Sequence, residues 1–514
     1  MKRSMTFLVA RILTGLIAAL LIQPTIASAQ AGERSTAQSN GRMTRQLFTP
    51  PAVFALTITD MDGAPIEGAT VLIGESTGTF ADEGIESTQT TDRGGQVAIP
   101  QNWFMPAPVT INAPGFVRAT YLDLAPSVRN LKIRRQTFEQ SPSQDQATVA
   151  PPARFELDGD TSGFGNLKND GIFDIGLVVQ AITRAQLSTL NLQSLISPEV
   201  DHFTVLGQSV DLPSNITIPS QTENYIFPLH FDKSTFRLFL PTSGTWQIAA
   251  LHARVPFKST IDALQNGRSI IDIVNTFEFR EGSVTPINIM AATQSQDLTV
   301  NAAAFTKSIS FTAPAFDRSM SLLTISLANS NGAYYPTDIK NVASSSTVQL
   351  TAPAGASVTG MVLAAYKKAS SQSTGPAADQ YSAVTLPNNE TRPFDPIRLV
   401  EPPLVNRNQL MLDTPTAAVG INPVMTYATL SIVTAMTKGK LQIENKQVLW
   451  DVWAPNWMNK LDLPSTPLPS IDRTTQSLRW EVGFSAQFTG QKSVPPGPDA
   501  LEKITHVTRS AVDL

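Results

Sequence analysis

The feature that most constrains the fold is an alternation of apolar and polar residues in the stretch LRWEVGFSAQF, at residues 478–488. Successive side chains of a β-strand point to opposite faces of a sheet, so every second residue shares a face. One face would carry Leu478, Trp480, Val482, Phe484, Ala486 and Phe488, and the other Arg479, Glu481, Ser485 and Gln487. The pattern predicts a strand in a sheet with one buried face and one face in water.

Shorter apolar or alternating runs recur along the chain, among them YIFPLHF, TFRLFL, SLLTISLANS, STVQLTAP and VTGMVLAAYK. Turns of the Asn-Gly and Ala-Pro-Ala-Gly type separate several of them, and prolines outnumber glycines, 37 against 29. Many strands joined by turns have this composition. We therefore predict a mainly β fold of several immunoglobulin-like β-sandwich domains in series. A short helical segment is expected near residues 260–274, where apolar residues follow a helical period.

The N-terminus has the three parts of a cleaved secretory signal. Lys2 and Arg3 precede the apolar run TFLVARILTGLIAALLI, and the small residues Ala27, Ser28 and Ala29 follow it. We predict an exported protein that is periplasmic, attached to the cell surface or extracellular, with no transmembrane segment after cleavage. The sequence has no cysteine, so disulfides and thiolate metal sites are excluded and stability must come from apolar burial.

Length and composition predict several separate units along the 514 residues. The predicted order is a signal peptide at 1–29, a leader at 30–49, a first β-sandwich at 50–135, a linker at 136–153, a β-rich domain with a short helix at 154–300, a β-sandwich at 301–398 and a last β-sandwich at 399–514. The linker is rich in Gln, Ser and Pro, as extended connections often are.

Charge argues against nucleic acid as a partner. The formal net charge is -4 and only 16% of residues are charged, so no basic face is available to neutralise phosphates. Partners expected instead are a glycan or a cell-surface protein. The oligomeric state is left open.

The first sandwich resembles a known family of modules. The stretches DMDGAPIEGATVLI, TTDRGGQVAI and INAPGFVRAT look like the first hairpin, the central turn and the closing strand pair of the carboxypeptidase regulatory-like domain. This family is a small β-sandwich of the immunoglobulin-like or carbohydrate-binding-like kind. An acidic insertion, ADEGIE, and a long segment from Pro100 to Pro108 depart from its pattern. The resemblance implies a spacer, adhesive or carbohydrate-binding-like role without peptidase chemistry.

A cluster of three tryptophans in LWDVWAPNWMNKLDLP is the densest aromatic feature of the chain. The pattern W-x-x-x-A-P that begins at Trp450 resembles a strand-and-turn signature of fibronectin-type modules, which implies that Trp450 packs in a core. Trp453 and Trp457 are candidate ligand-binding residues, because exposed indole rings can stack on sugars or anchor a partner. Packing in the core or a turn is the alternative for both.

A calcium loop is a weak candidate in DGDTSGFGNLKND. Asp158, Asp160 and Ser162 occupy the first, third and fifth positions of such a loop, and Asp170 could complete an irregular site. Asn169 stands at the twelfth position, where the loop requires a bidentate carboxylate. Ordinary turn chemistry of Asp-Gly pairs is the alternative. No other cofactor is expected.

Catalytic signals are sparse. Ser76 in GESTG matches a nucleophile motif formally, but the following residues have no helical period, so a polar loop is the preferred interpretation. The histidines, at positions 202, 230, 252 and 506, lack zinc-site spacing. A secreted hydrolase that uses some of Asp158, Asp160, Asp170, Asp174, His230 and His252 remains the alternative to the leading hypothesis. That leading hypothesis is an exported, non-catalytic protein with a structural, adhesive or carbohydrate-binding-like role.

Overall fold

The fold is taken from a computed structural model of the chain. It describes residues 55–74, 87–136, 155–165, 172–188, 200–205, 208–219, 234–240, 243–256, 274–316, 320–366, 380–387, 395–438, 441–464, 471–472, 474, 476–492 and 494–514. The predicted signal peptide and leader, nearly all of the linker and the YIFPLHF run lie outside these residues. So does the predicted helix at 260–274, except for its last residue, which opens a short 3₁₀ turn at Val274–Thr276.

The protein is mainly β, as the alternating runs predict. Strands of the first module are β1 (Ala55–Thr59), β2 (Thr70–Ile73), β3 (Ser87–Thr90), β4 (Gln96–Ala98), β5 (Ala107–Asn112), β6 (Arg118–Leu124) and β7 (Asn130–Lys132). Strand β1 pairs with β4 and β7 in one sheet, while β2, β3, β5 and β6 belong to a second. Apolar residues of both sheets, such as Leu56, Val71 and Ile111, are buried in one core.

The turn in DMDGAPIEG is held by one carboxylate. Asp60 Oδ1 accepts hydrogen bonds from the backbone N–H groups of Asp62 (3.0 Å) and Ala64 (2.9 Å), while Oδ2 accepts one from Arg135 (2.9 Å). Gly63 has a φ of 83°, which other residues rarely adopt. This segment therefore reverses the chain, and its conspicuous residues are explained by turn chemistry.

The next block forms a second sandwich. Its strands are β8 (Phe155–Ser162), β9 (Ile172–Gln180), β10 (Val200–Val205), β11 (Gln208–Pro213), β12 (Ile216–Thr217), β13 (Thr235–Leu240), β14 (Gly244–Pro256), β15 (Glu278–Ile289), β16 (Thr293–Ser295), β17 (Leu298–Thr299) and β18 (Ala303–Ala304). One sheet has the order β12-β9-β14-β15-β18 and the other β13-β8-β16, with β17 also on β8. A short helix that the sequence analysis did not predict, α1 (Arg184–Ser188), follows β9.

The remaining described strands extend to the C-terminus. They are β19 (Lys307–Thr312), β20 (Met320–Ser330), β21 (Ala333–Val342), β22 (Thr347–Ala352), β23 (Ser357–Tyr366), β24 (Gln380–Pro387), β25 (Leu404–Asn406), β26 (Gln409–Met411), β27 (Ile421–Lys438), β28 (Leu441–Pro455), β29 (Lys460–Asp462), β30 (Gln476–Phe488) and β31 (His506–Asp513). A 3₁₀ turn at Pro498–Glu502 precedes the last strand. The strands predicted from TFRLFL, SLLTISLANS, STVQLTAP and VTGMVLAAYK are confirmed as β13, β20, β22 and β23.

One sheet runs through most of the molecule. Its twelve described strands have the order β21-β20-β23-β24-β31-β30-β27-β28-β6-β5-β2-β3, and we call it the long sheet. The first module joins it through parallel pairing of β6 with β28, from Trp450 opposite Arg118 to Trp453 opposite Tyr121. The domain boundaries proposed from sequence stay predictions. What the structure adds is that a single sheet crosses three of the predicted units.

Strand β30 corrects one expectation. The alternation at 478–488 does form a strand, but its polar face is not in water. Glu481, Ser485 and Gln487 are at most 5% exposed, and they lie on the face opposite to Trp480 and Phe484. Both faces of the long sheet are covered at this strand, so its polar residues must find partners inside the protein. Ser485 Oγ, for example, donates to Met425 O.

Of the described helices, none is long and apolar enough to span a membrane.

Candidate functional site

Three neighbouring strands of the second sandwich bring four ionisable side chains together. His252 on β14 lies between Asp174 on β9 and Glu281 on β15. Its Nε2 is 2.7 Å from Asp174 Oδ1, and its Nδ1 is 2.9 Å from Glu281 Oε1. Arg254 Nε is 3.2 Å from the same Asp174 oxygen. Asp174 and His252, both candidates from sequence, are thus in contact; Arg254 and Glu281 were not predicted.

This cluster is poorly arranged for hydrolysis. Both ring nitrogens of His252 face carboxylates, whereas a general base needs one nitrogen for the nucleophile or water. The His252 and Asp174 side chains are only 6% and 4% exposed, and the ring of Phe164 packs edge-on against the imidazole at 5.2 Å. Asp174 Oδ2 is buried without a hydrogen-bond partner. The geometry favours an internal ionic network that ties three strands together.

The other acidic candidates lie elsewhere. In β8 the burial alternates, with Leu157 and Thr161 inward and Asp160 and Ser162 exposed, so Asp158, Asp160 and Ser162 share the outer face. They therefore point away from the interior that holds His252. Asp170 and His230 fall outside the described residues, as does Ser76. For His202 only the backbone, in β10, is described.

The described part of the calcium-loop candidate is extended. Asp158, Asp160 and Ser162 stand in an extended strand, where alternate residues are about 6–7 Å apart along the chain, whereas a calcium loop folds its ligands around one point. Asp160 is engaged by its neighbours: its Oδ1 accepts from Ser234 Oγ (3.1 Å), and its backbone N donates to Asp297 (2.9 Å). Among the described side chains, no three His, Asp or Glu groups form a metal-binding cluster.

The two tryptophan candidates differ in burial. Trp453 is 4% exposed and belongs to the large core, with its ring 6.2 Å from that of Tyr427, so it offers no face to a sugar in solution. Trp457 is half-buried; its Nε1 donates to Ser485 O (2.8 Å), and its ring meets Phe484 edge-on. The burial of Trp453 disfavours a stacking role for this residue. Trp450 is buried as its alternation predicts, and Nε1 donates to Thr120 Oγ1 at 2.9 Å.

Buried ion pairs on the long sheet were missed by sequence analysis. Arg134, just after β7, binds Asp451 on β28 through two hydrogen bonds of 2.6 Å each, and both residues are under 10% exposed. Glu481 on β30 contacts both Lys446 on β28 and Arg509 on β31, again in the interior. The alternation of β30 and β31 places these charges on one face, but it does not tell whether that face is wet or covered.

An exposed apolar loop was also missed. Between β4 and β5, Phe104 is 80% exposed and Met105 49%, while the adjacent Trp103 is only 3% exposed. Trp103 anchors the loop in the core, and its backbone N–H donates to Pro100 O (3.1 Å). In the sequence, the available signal for this loop is the run NWFMP, which lies in the long Pro100–Pro108 segment that departs from the family pattern.

Comparisons with known proteins identify no family. No protein-family model and no curated protein matches the chain. Among solved structures, the Bacillus anthracis TIE protein aligns over 62% of this chain and 45% of its own, at 10% identity and a TM-score of 0.15. A streptococcal ancillary pilin aligns over 60% and 88%, at 6% identity and a TM-score of 0.13. This chain spans less than half the length of the first, and neither likeness is close enough to support an argument.

Proposed function

We propose that the protein is an exported scaffold with a structural, adhesive or carbohydrate-binding-like role and no catalytic activity. The signal pattern at 1–29 supports export to the periplasm, the cell surface or the medium. The observation that carries the scaffold role is the long sheet, which links the first module to the C-terminal strands through β6 and β28. The resemblance of residues 50–135 to carboxypeptidase regulatory-like modules agrees with such a role.

Rigidity at this junction supports the scaffold. Besides strand pairing, the junction contains the buried Arg134–Asp451 pair, and Lys132 Nζ bonds Asp499 Oδ1 at 2.9 Å near the C-terminus. A bidentate arginine–carboxylate pair fixes relative orientation more tightly than a single contact. Modules locked in this way keep a binding loop at a defined position.

The loop at 99–106 is the surface we propose for binding. Phe104 and Met105 project from one end of the first sandwich, and Trp103 holds them from below. Apolar side chains on a rigid loop lose little entropy on contact, so they can anchor a glycan ring or an apolar patch of a cell-surface protein. Trp453 is buried and takes no part in the proposed binding. Trp457 is a weaker binding candidate than the loop because its indole N–H is already bonded.

A retention assay tests this proposal. Full-length protein on beads is presented to a glycan array and to immobilised collagen and fibronectin. We expect retention on at least one surface, and a loss of about tenfold or more in the Phe104→Ala, Met105→Ala double variant. Met290→Ala removes a methionine that is more exposed than Met105, 79% against 49%, at a different site and should change nothing. Absence of retention on every surface contradicts an adhesive role.

One observation favours the alternative, a secreted hydrolase: His252 and Asp174 are in contact. A panel of nitrophenyl esters and glycosides separates the two proposals. Turnover that disappears in His252→Gln and persists in Phe104→Ala would support the hydrolase. We expect no turnover in either variant or in the unmodified protein.

A further inference from the structure

A segment without regular structure crosses one face of the long sheet. Residues 395–403, which we call the strap, lie over β31 and are held by two side chains of that strand. Thr508 Oγ1 donates to Arg398 O (2.9 Å), and Ser510 Oγ donates to Glu401 O (3.0 Å). Ile397, on the underside of the strap, is 3% exposed. The strap thus covers sheet surface that would otherwise be in water.

His506 lies on the covered face. It shares that face with Thr508 and Ser510, because alternate residues of a strand point the same way. In register it stands between Val384 on β24 and Ala486 on β30, and its ring meets Phe488 edge-on at 4.9 Å. These neighbours belong to one apolar cluster that the strap closes, formed by Val362, Val384, Leu386, Ile397, Ile421, Ala486 and Phe488.

The surroundings of His506 disfavour a positive charge. The residue is 2% exposed, and its Nδ1 is 2.8 Å from Thr505 Oγ1. Burial, and secondarily the positive charge of Arg184, lowers the pKa of the imidazole to about 4. A protonated ring would need water or a carboxylate, and opening the strap would admit water to the apolar cluster beside the ring.

The other charged groups on elements around His506 do not offset this. Glu502, on the 3₁₀ turn, accepts from Ala185 N at 3.3 Å. On the strap, Arg398 binds Asp413 through two bonds of 2.7 Å, Glu401 accepts from Gln380 at 3.0 Å, and Asp395 is exposed. These groups have partners of their own or lie at the surface.

We propose that the strap is an acid-sensitive cover: protonation of His506 releases residues 395–403 from the long sheet and exposes the apolar cluster beneath. The proposal is independent of what the protein binds. Its sign follows from proton linkage. With the strap closed the pKa of His506 lies below its ordinary value of 6.5, so the closed state is fully favoured above pH 6.5 and loses stability as pH falls towards 4. At about pH 4.5 the ratio of closed to open should have fallen roughly 50-fold.

Thiol reactivity in this cysteine-free chain tests the proposal. Ile397→Cys places a reporter under the strap, and 4,4′-dithiodipyridine measures its reaction rate against a free thiol at each pH. Ile325→Cys is the matched control, since Ile325 on β20 is as buried as Ile397, at 3% exposed, and belongs to a different cluster of the same sheet that contains no strap residue. We expect the relative rate of the first reporter to rise roughly 50-fold between pH 7 and about pH 4.5, following one proton, and the control to stay unreactive.

A second substitution assigns the effect to the imidazole. His506→Gln, or His506→Phe if the glutamine variant does not fold, should abolish the rise in the Ile397→Cys background. The proposal is overturned if the reporter rate does not depend on pH, if it rises equally without His506, or if the rate of the Ile325→Cys control rises in parallel. The last result would mean that acid unfolds the whole sheet. The pH curve of the Ile397→Cys reporter decides by itself whether the strap opens in acid, so that test does not need either His506 variant to fold.

Discussion

Arg134 and Asp451 show what a single buried pair does in this protein. Their residues are 317 positions apart in the chain, yet the two side chains exchange two hydrogen bonds in the interior, and Thr429 Oγ1 donates a third to Asp451 at 3.2 Å. Burial makes such a pair costly to break, because the remaining charge stays in the interior without a counter-charge. The pair therefore fixes which part of the chain docks on β28.

Arg134→Met should destabilise the protein by about 3–5 kcal/mol, since it leaves the Asp451 carboxylate buried and uncompensated. Urea unfolding followed by circular dichroism measures the loss. Adding Asp451→Leu should restore most of it, because the second substitution removes the orphaned charge.

The surface pair of Arg93 and Glu67 provides the control. These side chains are 93% and 65% exposed and 3.8 Å apart, so Arg93→Met should leave the unfolding midpoint unchanged. Equal losses for Arg93→Met and Arg134→Met would contradict the role assigned to burial.

Tyr427 presents the opposite case, a buried polar atom with nothing to bond. Its hydroxyl is in the core without a hydrogen-bond partner, and burial raises the pKa of the phenol. The ring lies directly over Gly483, where a Cβ would come within 2.2 Å of it. Glycine at this position is therefore required by the close approach of an aromatic ring and not by its backbone angles.

Tyr427→Phe should leave stability unchanged or raise it by up to about 1 kcal/mol, since it removes an unsatisfied hydroxyl and keeps the ring. Thermal unfolding at neutral pH is the measurement. A loss of more than about 1 kcal/mol would show that the hydroxyl has a partner such as buried water.

At the scale of single elements, the sequence predicts strands well and their surroundings poorly. The alternation in β30 correctly marks the strand and separates its faces. It cannot report that the polar face meets Lys446 and Arg509 from neighbouring strands, because those partners are brought in by sheet order. In β8 the same limit applies: Asp158, Asp160 and Ser162 resemble a loop by residue type but lie in a strand.

The edge of the long sheet shows how an element is protected. Strand β21 is the last strand on one side, where unpaired backbone groups invite pairing with another chain. Asn275 covers part of this edge: its Nδ2 donates to Asn341 O (2.8 Å), and its Oδ1 accepts from Asn341 N (2.7 Å). Further along, Ile182 and Tyr334 exchange backbone bonds of 2.7 Å each.

Asn275→Ala should increase hydrogen exchange at the Asn341 amide by about fivefold, since one bond worth about 1 kcal/mol is lost there. Mass spectrometry of peptides covering β21 measures it. Asn288→Ala, at an exposed position on β15, is the control and should leave β21 unchanged. No change at Asn341 would mean that the asparagine does not protect the edge.

At the scale of the whole molecule, the long sheet makes the first module and the C-terminal strands one structural unit. Its order places β6 beside β28, and the core formed by the module continues into residues of β27 and β28 such as Met425 and Trp453. Units that share a sheet and a core are expected to unfold together. The sequence, by contrast, predicts sandwiches joined by linkers.

We therefore expect β6 and β30 to lose hydrogen-exchange protection at the same urea concentration, in one transition. Exchange measured across a urea series, with peptides from both strands, tests this. Protection lost in β6 well before β30 would show that the module opens independently. In the Arg134→Met variant, by contrast, we expect β6 to lose protection before β30, because the substitution weakens the junction and leaves β30 intact.

Candidate-site residues were predictable only as residue types. Sequence analysis named Asp174 and His252, and these do meet, but their partners Glu281 and Arg254 are separated from Asp174 by 107 and 80 positions and had no local signal. Trp453 was named for its ring, and its burial follows from pairing with Tyr121 and Tyr427 on adjacent strands. The run NWFMP marks Phe104 and Met105 as apolar but does not tell which of its side chains is buried, and the packing of Trp103 in the core decides that.

By itself the sequence determined that this is a mainly β protein, where many of its strands run and which side chains share a face, because alternation, turns and proline positions act within a few residues. Tertiary structure alone decided that one sheet joins distant parts of the chain, that the polar face of β30 is buried, and that residues 395–403 are bonded to β31. Those outcomes depend on which strand edges meet, and edge pairing is a long-range choice that local patterns leave open.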